Sequence, residues 1–192
     1  MTITRRMMVG AVLTAAFAPV ALAQSLPLVK VQTNMGDIVL ELNPKAAPKT
    51  VENFLTYVKS GFYKNTLFHR VIPNFMIQGG GFVSGMEEKD TRKAIALESR
   101  NGLSNLRGTI AMARTSDPNS ATSQFFINVR DNHFLDASQA QDGYGYAVFG
   151  RVISGMQTVD AIARVKTHSV GYYDDVPIRD VIIKNMTVTK GK

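Results

Sequence analysis

The segments Leu28-Val29-Lys30-Val31-Gln32 and Asp37-Ile38-Val39-Leu40-Glu41-Leu42 alternate apolar and polar residues on either side of Asn34-Met35-Gly36. A period of two interrupted by an Asn/Gly turn predicts a β-hairpin. The period then lengthens. After Pro48, a good first helical residue, Val51, Phe54, Leu55 and Val58 recur at helical spacing until Gly61, which predicts a helix with one apolar stripe. From Thr66 onward strand patterns dominate, over 66–72, 75–78, 108–113, 124–129 and 146–152, separated by Gly- and Asn-rich loops. Ser154 is placed to cap a second helix whose Met156, Val159 and Ala163 share one side, and a last strand is predicted over 181–188. Many strands with two helices do not alternate as βαβ units, which argues against a doubly wound parallel sheet. The expected fold is mainly β, a closed antiparallel barrel plugged by the two helices, because closure buries both helix stripes and removes the sheet edges. No internal repeat or linker divides it.

The chain of 192 residues is 45% apolar and 19% charged, with no Cys and no Trp. That balance excludes a disordered tail, a collagen-like repeat and a disulfide-stapled miniprotein. The lack of Cys removes thiolate zinc sites, iron–sulfur clusters, CxxC redox pairs and cysteine nucleophiles. Residues 1–23 read apart from the rest: Arg5 and Arg6, an apolar run from Met7 to Val20, then Ala21-Leu22-Ala23, the layout of a secretory signal peptide cleaved after Ala23. The run falls short of the ~20 residues that span a bilayer and is broken by Gly10 and Pro19, which argues against a membrane anchor. Arg5-Arg6 fits either twin-arginine or general secretory export. Cleavage leaves one domain, residues 24–192, and lowers the formal charge from +7 to +5. The remaining cations are scattered, with no basic block or helix face, so neither nucleic acid nor stable membrane insertion is expected.

The common catalytic motifs do not hold up. Gly80 to Gly85 has P-loop spacing, but Met86 and Glu87 stand where phosphate and magnesium binding need Lys and Ser or Thr. His69, His133 and His168 form no HxxxH or HExxH pair and point to no metal. Ser123 lacks a nucleophile elbow, leaving a hydrolase built on Ser123 and His133 as a weak rival. Glu87-Glu88 and Asp174-Asp175 read as solvated pairs in polar loops. The segment 68–80 is different, because on a continuous strand Phe68, Arg70 and Ile72 share one face and lay a cation along an apolar surface.

FHRVIPNFMIQGG at 68–80 resembles the most specific motif of the cyclophilin family of peptidyl-prolyl cis-trans isomerases, and GTIAMARTSDPNSATSQFFI at 108–127 resembles its second. PKTVENF at 48–54, FLD at 134–136 and YAVFGRV at 146–152 extend the similarity over about residues 28–189. The resemblance implies an eight-stranded antiparallel barrel capped by two helices. With the export signal, the chain is similar to the short periplasmic cyclophilins of Gram-negative bacteria, which implies a periplasmic location and a monomer.

That family rotates X–Pro bonds, whose partial double-bond character sets a barrier of roughly 18–20 kcal/mol. The reaction breaks no bond and needs no nucleophile, metal or cofactor. The resemblance implies that Arg70 donates to the prolyl nitrogen as it becomes pyramidal, and that Gln78 positions Arg70 and touches substrate backbone. It assigns the proline slot to Phe75, Met76, Phe126 and Leu135, and a substrate-backbone groove to Ala113, Arg114 and Gln124. Phe134 stands where familiar eukaryotic members carry Trp, which implies weakened cyclosporin binding, and Tyr146 stands where they carry His. The implied partners are proline-containing unfolded or flexible polypeptides, and the implied role is to assist the folding of exported proteins. A peptide-binding holdase with incidental activity is the alternative.

Overall fold

The computed structural model describes residues 25–189, so the signal expected over 1–23 lies outside the described residues. The predicted hairpin forms as β1 (Leu28–Thr33) and β2 (Gly36–Leu42), with Thr33 opposite Gly36 across Asn34-Met35. Val29, Val31, Ile38, Leu40 and Leu42 are fully buried, so the period-two pattern becomes an inner face. Helix α1 (Pro48–Lys59) begins at Pro48 and turns Val51, Phe54, Tyr57 and Val58 inward. No side chain of its own caps it. Instead Glu98 accepts from the backbone N–H of Lys49 and Thr50, at 3.1 and 2.9 Å, and places a carboxylate at the positive helix end.

Further along lie β3 (Thr66–Leu67), β4 (Arg70–Ile72), β5 (Met76–Gly79), β6 (Phe82–Val83), β7 (Glu87–Glu88), β8 (Thr109–Met112) and β9 (Phe125–Asn128). A 3₁₀ turn over His133–Leu135 precedes β10 (Val148–Ser154) and α2 (Met156–Ile162). Then come β11 (Thr167–Val170), β12 (Tyr173–Pro177) and β13 (Ile182–Thr189).

The main sheet is antiparallel throughout, in the order β3-β13-β1-β2-β10-β8-β9-β5-β4. Its two ends, β3 and β4, are the two halves of one run over 66–72, so the sheet curls round to its own starting strand and has eight strands when that run counts as one. Phe54, Tyr63, Phe68 and Phe149 fill the interior with Phe125, which meets Phe54 edge-on at 5.6 Å and Phe68 at 5.9 Å. Helix α1 lies against β13 and α2 against β2, each adding its apolar stripe to that interior.

Three expectations need correction. The run 66–72 is interrupted at Phe68-His69, so Phe68 and Val71, three residues apart, both enter the interior while Arg70 and Ile72 stay outside. Phe68 therefore does not share a face with Arg70. Ser154 does not cap α2. The N-cap is Gly155 at φ 90°, where a Cβ would come within 2.3 Å of the Asp37 carbonyl oxygen, so only glycine fits this approach. The strand predicted over 146–152 starts two residues later, leaving Tyr146 in the connection before it. The small hairpins β6–β7 and β11–β12 are additions that the hydrophobic pattern did not predict.

Candidate active site

Strands with one wet face alternate buried and exposed residues, yet Phe125, Phe126, Ile127 and Asn128 are all buried, as are Ile110, Ala111 and Met112. Here the outer face of the barrel is covered too. A second apolar cluster of Met76, Ala111, Phe126 and Val148 lies there, with Ile72, Phe75, Ala113, Leu135 and Tyr146 against it.

Antiparallel register decides which groups meet on that face. Arg70 pairs with Gln78, Gln78 with Phe126, Phe126 with Ala111 and Ala111 with Val148, which makes one row across β4, β5, β9, β8 and β10. The row starts with a cation and an amide and ends in aliphatic surface. Above it opens a cleft of about 190 Å³ lined by Arg70, Phe75, Met76, Gln78, Ala113, Arg114, Phe126, Leu135 and Tyr146. That is smaller than the roughly 300–1,000 Å³ of sites for drug-sized ligands, and suits a single ring with its flanking amide. A larger groove of about 450 Å³, lined by Leu42, Leu103, Leu106 and Val148 among others, has Glu41 and Arg151 as its charged groups, and these are already paired at 2.9 Å.

Nine of the eleven sequence-assigned site residues thus line one cleft, and the other two stand beside it. Gln124 lies behind Gln78 and accepts its amide N–H at 2.9 Å, and Phe134 is half exposed at the mouth, stacked on Phe75 at 5.6 Å. Three of these residues have partners the sequence did not indicate. The side chain of Arg114 is only 2% exposed. Its guanidinium donates to the Gly145 and Thr115 carbonyls and to Asp142, and lies 4.6 Å over the Tyr146 ring, so it forms wall and not a free substrate contact. The Ala113 N–H is occupied by the Gln124 carbonyl at 3.0 Å, which leaves other main-chain groups of the 113–114 stretch to meet a peptide. Arg70 has as its charged partner Asp175, with Nε 3.7 Å from the carboxylate, beyond hydrogen-bond range and with both side chains about 40% exposed. Its guanidinium therefore stands at the cleft edge without being locked away.

Beneath the apolar floor runs a polar chain. Asn132 donates to the Phe75 carbonyl at 2.9 Å and to Asn128, Asn128 donates to Asn105, and Asn105 donates its backbone and side-chain N–H groups to Asp136. Burial alone would raise the Asp136 pKa, but the donors from Asn105, His133 and Ser104 outweigh it and hold the carboxyl below its ordinary value. The chain ties the turn carrying Leu135 to the backbone of Phe75, and scattered asparagines gave no signal of it. Ser123 is fully buried and His133 turns its ring to Asp136 at 3.2 Å, so these two are not joined as a hydrolase pair.

The geometry is an apolar slot in the barrel wall with Arg70 at its lip and the amides of Gln78 and Gln124 beside it. The family model described as "Cyclophilin type peptidyl-prolyl cis-trans isomerase/CLD" matches residues 28–188. Peptidyl-prolyl cis-trans isomerase A of Dickeya dadantii is 51% identical over 175 residues, 91% of each chain. Peptidyl-prolyl cis-trans isomerase B of Escherichia coli is 54% identical over 164 residues, 85% of this chain and 100% of its own. The crystal structure of a Cryptosporidium parvum cyclophilin superposes with a TM-score of 0.72 at 29% identity, covering 87% of this chain and 99% of its own. The chain belongs to the cyclophilin-type peptidyl-prolyl cis-trans isomerase family. It is an enzyme acting on proline-containing peptides.

Proposed function

We propose that the protein, exported and freed of residues 1–23, works in the periplasm as a monomer that speeds proline-limited folding of other exported polypeptides, without cofactor, metal, nucleic acid or membrane. The proline ring enters the slot formed by Phe75, Met76, Phe126 and Leu135. Main-chain groups near Ala113 and the amides of Gln78 and Gln124 hold the flanking peptide, so one side of the bond is fixed while the other turns. As the amide twists, resonance is lost and the prolyl nitrogen gains a lone pair. Arg70 donates to it and favours the twisted state over the planar one.

A 10⁵-fold acceleration requires about 7 kcal/mol. One charge-assisted hydrogen bond supplies roughly 1.5–3 kcal/mol. The rest comes from desolvation in the slot and from donors fixed before the reaction begins. The observation that carries this reading is the position of Arg70 at the edge of the apolar cleft, in register with Gln78 and Phe126. Its test is kcat/KM on an Xaa-Pro peptide, together with the rate of a proline-limited refolding reaction. Arg70→Ala is expected to lower kcat/KM roughly 10- to 150-fold. Peptide binding without turnover by the unaltered protein would favour the holdase reading. Cell fractionation that finds the chain in the cytoplasm would remove exported clients.

A further inference from the structure

Strands β11 and β12 pair His168 with Val176 and Val170 with Tyr173, so Ser169 alone faces both Asp174 and Asp175. Two residues opposite one is a β-bulge, a device that bends a strand and re-aims a side chain. Asp175 occupies it at φ 61°, left-handed backbone that Asp and Asn tolerate better than other non-glycine residues. Asp174 turns to Ser169, whose hydroxyl donates to it at 2.6 Å, while Asp175 meets Nε of Arg70. The hairpin is fastened beside that arginine by a stack in which Tyr173 meets Phe82 at 5.1 Å and Phe82 meets His69 at 4.5 Å.

We propose that Asp175 is a positioning residue for Arg70: the bulge aims its carboxylate at Nε, restrains the guanidinium at the cleft edge, and leaves the two terminal nitrogens free to face the prolyl amide. An unrestrained arginine would sample many rotamers, and restraining it before substrate arrives lowers the entropy lost in the transition state. Attachment at Nε, at 3.7 Å and half exposed, steers the side chain without withdrawing it from the substrate. The proposal rests on the catalytic reading of Arg70.

The test is a double-mutant cycle on the full mature chain with an Xaa-Pro peptide. Asp175→Asn keeps a side chain suited to left-handed backbone and removes the charge. It is expected to lower kcat about two- to five-fold with KM unchanged, the range of a half-exposed ion pair. Asp174→Asn leaves the rate unchanged. In an Arg70→Ala background, Asp175→Asn has no further effect on the residual rate. Full activity of Asp175→Asn, or an equal loss in the Arg70→Ala background, would overturn the proposal, the second by showing that Asp175 acts through something other than Arg70. If Arg70→Ala itself keeps wild-type turnover, the catalytic reading of Arg70 has failed, and the positioning role fails with it.

Discussion

His69 sits next in sequence to Arg70, nearly buried, with its Nδ1 lacking a partner among the described residues. Burial, and then the charge of Arg70, pull its pKa from 6.5 down to about 4 against a backbone hydrogen bond with Leu67 that acts the other way. The ring is therefore neutral at pH 7. Between pH 6.5 and 4 the unfolded chain binds a proton at this position that the native protein refuses, so stability falls as pH falls through that window. A shift of this size corresponds to about 3 kcal/mol by pH 4. Urea unfolding at pH 7, 5.5 and 4 is expected to show this decline in the unaltered protein and a flatter profile in His69→Gln. Asp136, Asp142 and Asp160 also have lowered pKa values and lose stability progressively below about pH 5, but they do so in both proteins alike, so the His69 contribution is read as the difference between the two profiles. A profile unchanged by His69→Gln would contradict it.

Among the elements, the connection from the 3₁₀ turn to β10 brings Tyr146 to the cleft wall. Arg114, then the backbone N–H groups of Gly145 and Tyr144, hold the Asp142 carboxyl down at about 2, and the same contacts fold the loop so that Tyr146 stands against Phe126. Asp142→Ala should release that loop. The expected result is faster hydrogen exchange at the Tyr144 and Gly145 amides and a two- to five-fold rise in KM with little change in kcat, on the scale of one lost surface ion pair. Unchanged exchange at both amides would show that the clamp is idle. This clamp was not legible in the sequence, since its partners lie 28 residues apart and Asp142 sits in a polar Gln- and Gly-containing stretch. The β1–β2 hairpin and α1 were legible because burial of one face leaves periods of 2 and 3.6. Hairpin β11–β12 has no such face: Thr-His-Ser-Val and Tyr-Asp-Asp-Val-Pro carry no apolar alternation, so Asp175 read as a solvated loop acid when it is the ionic partner of Arg70. The break at Phe68-His69 was likewise hidden, because alternation assumes a continuous strand.

At the scale of the whole molecule, the barrel uses one set of strands twice. Phe125 points into the interior and Phe126, its neighbour, into the cleft. Phe125→Ala is expected to cost about 3–5 kcal/mol of stability, as for other large core truncations. Phe126→Ala should cost less, since its void opens to the cleft and admits water, yet lower kcat/KM at least about ten-fold by wetting the slot proposed to hold the twisted amide. Thermal melts and peptide kinetics on the two variants check this division. Similar stability losses with equal effects on turnover would deny it. Stretches 108–113 and 124–129 were legible as strands, but that both their faces are covered emerged only from the fold, and the motif resemblance was what pointed to the residues of the outer cluster. The central claim is that the Arg70 guanidinium stabilises the twisted amide more than the bound planar one. Its most direct measurement is NMR exchange of a bound Xaa-Pro peptide at saturating protein, comparing the unaltered chain with Arg70→Ala. The account predicts that cis–trans exchange on the protein slows at least about ten-fold while the peptide's dissociation constant stays within about two-fold. Undiminished exchange on Arg70→Ala, or a loss wholly explained by weaker peptide binding, would contradict it.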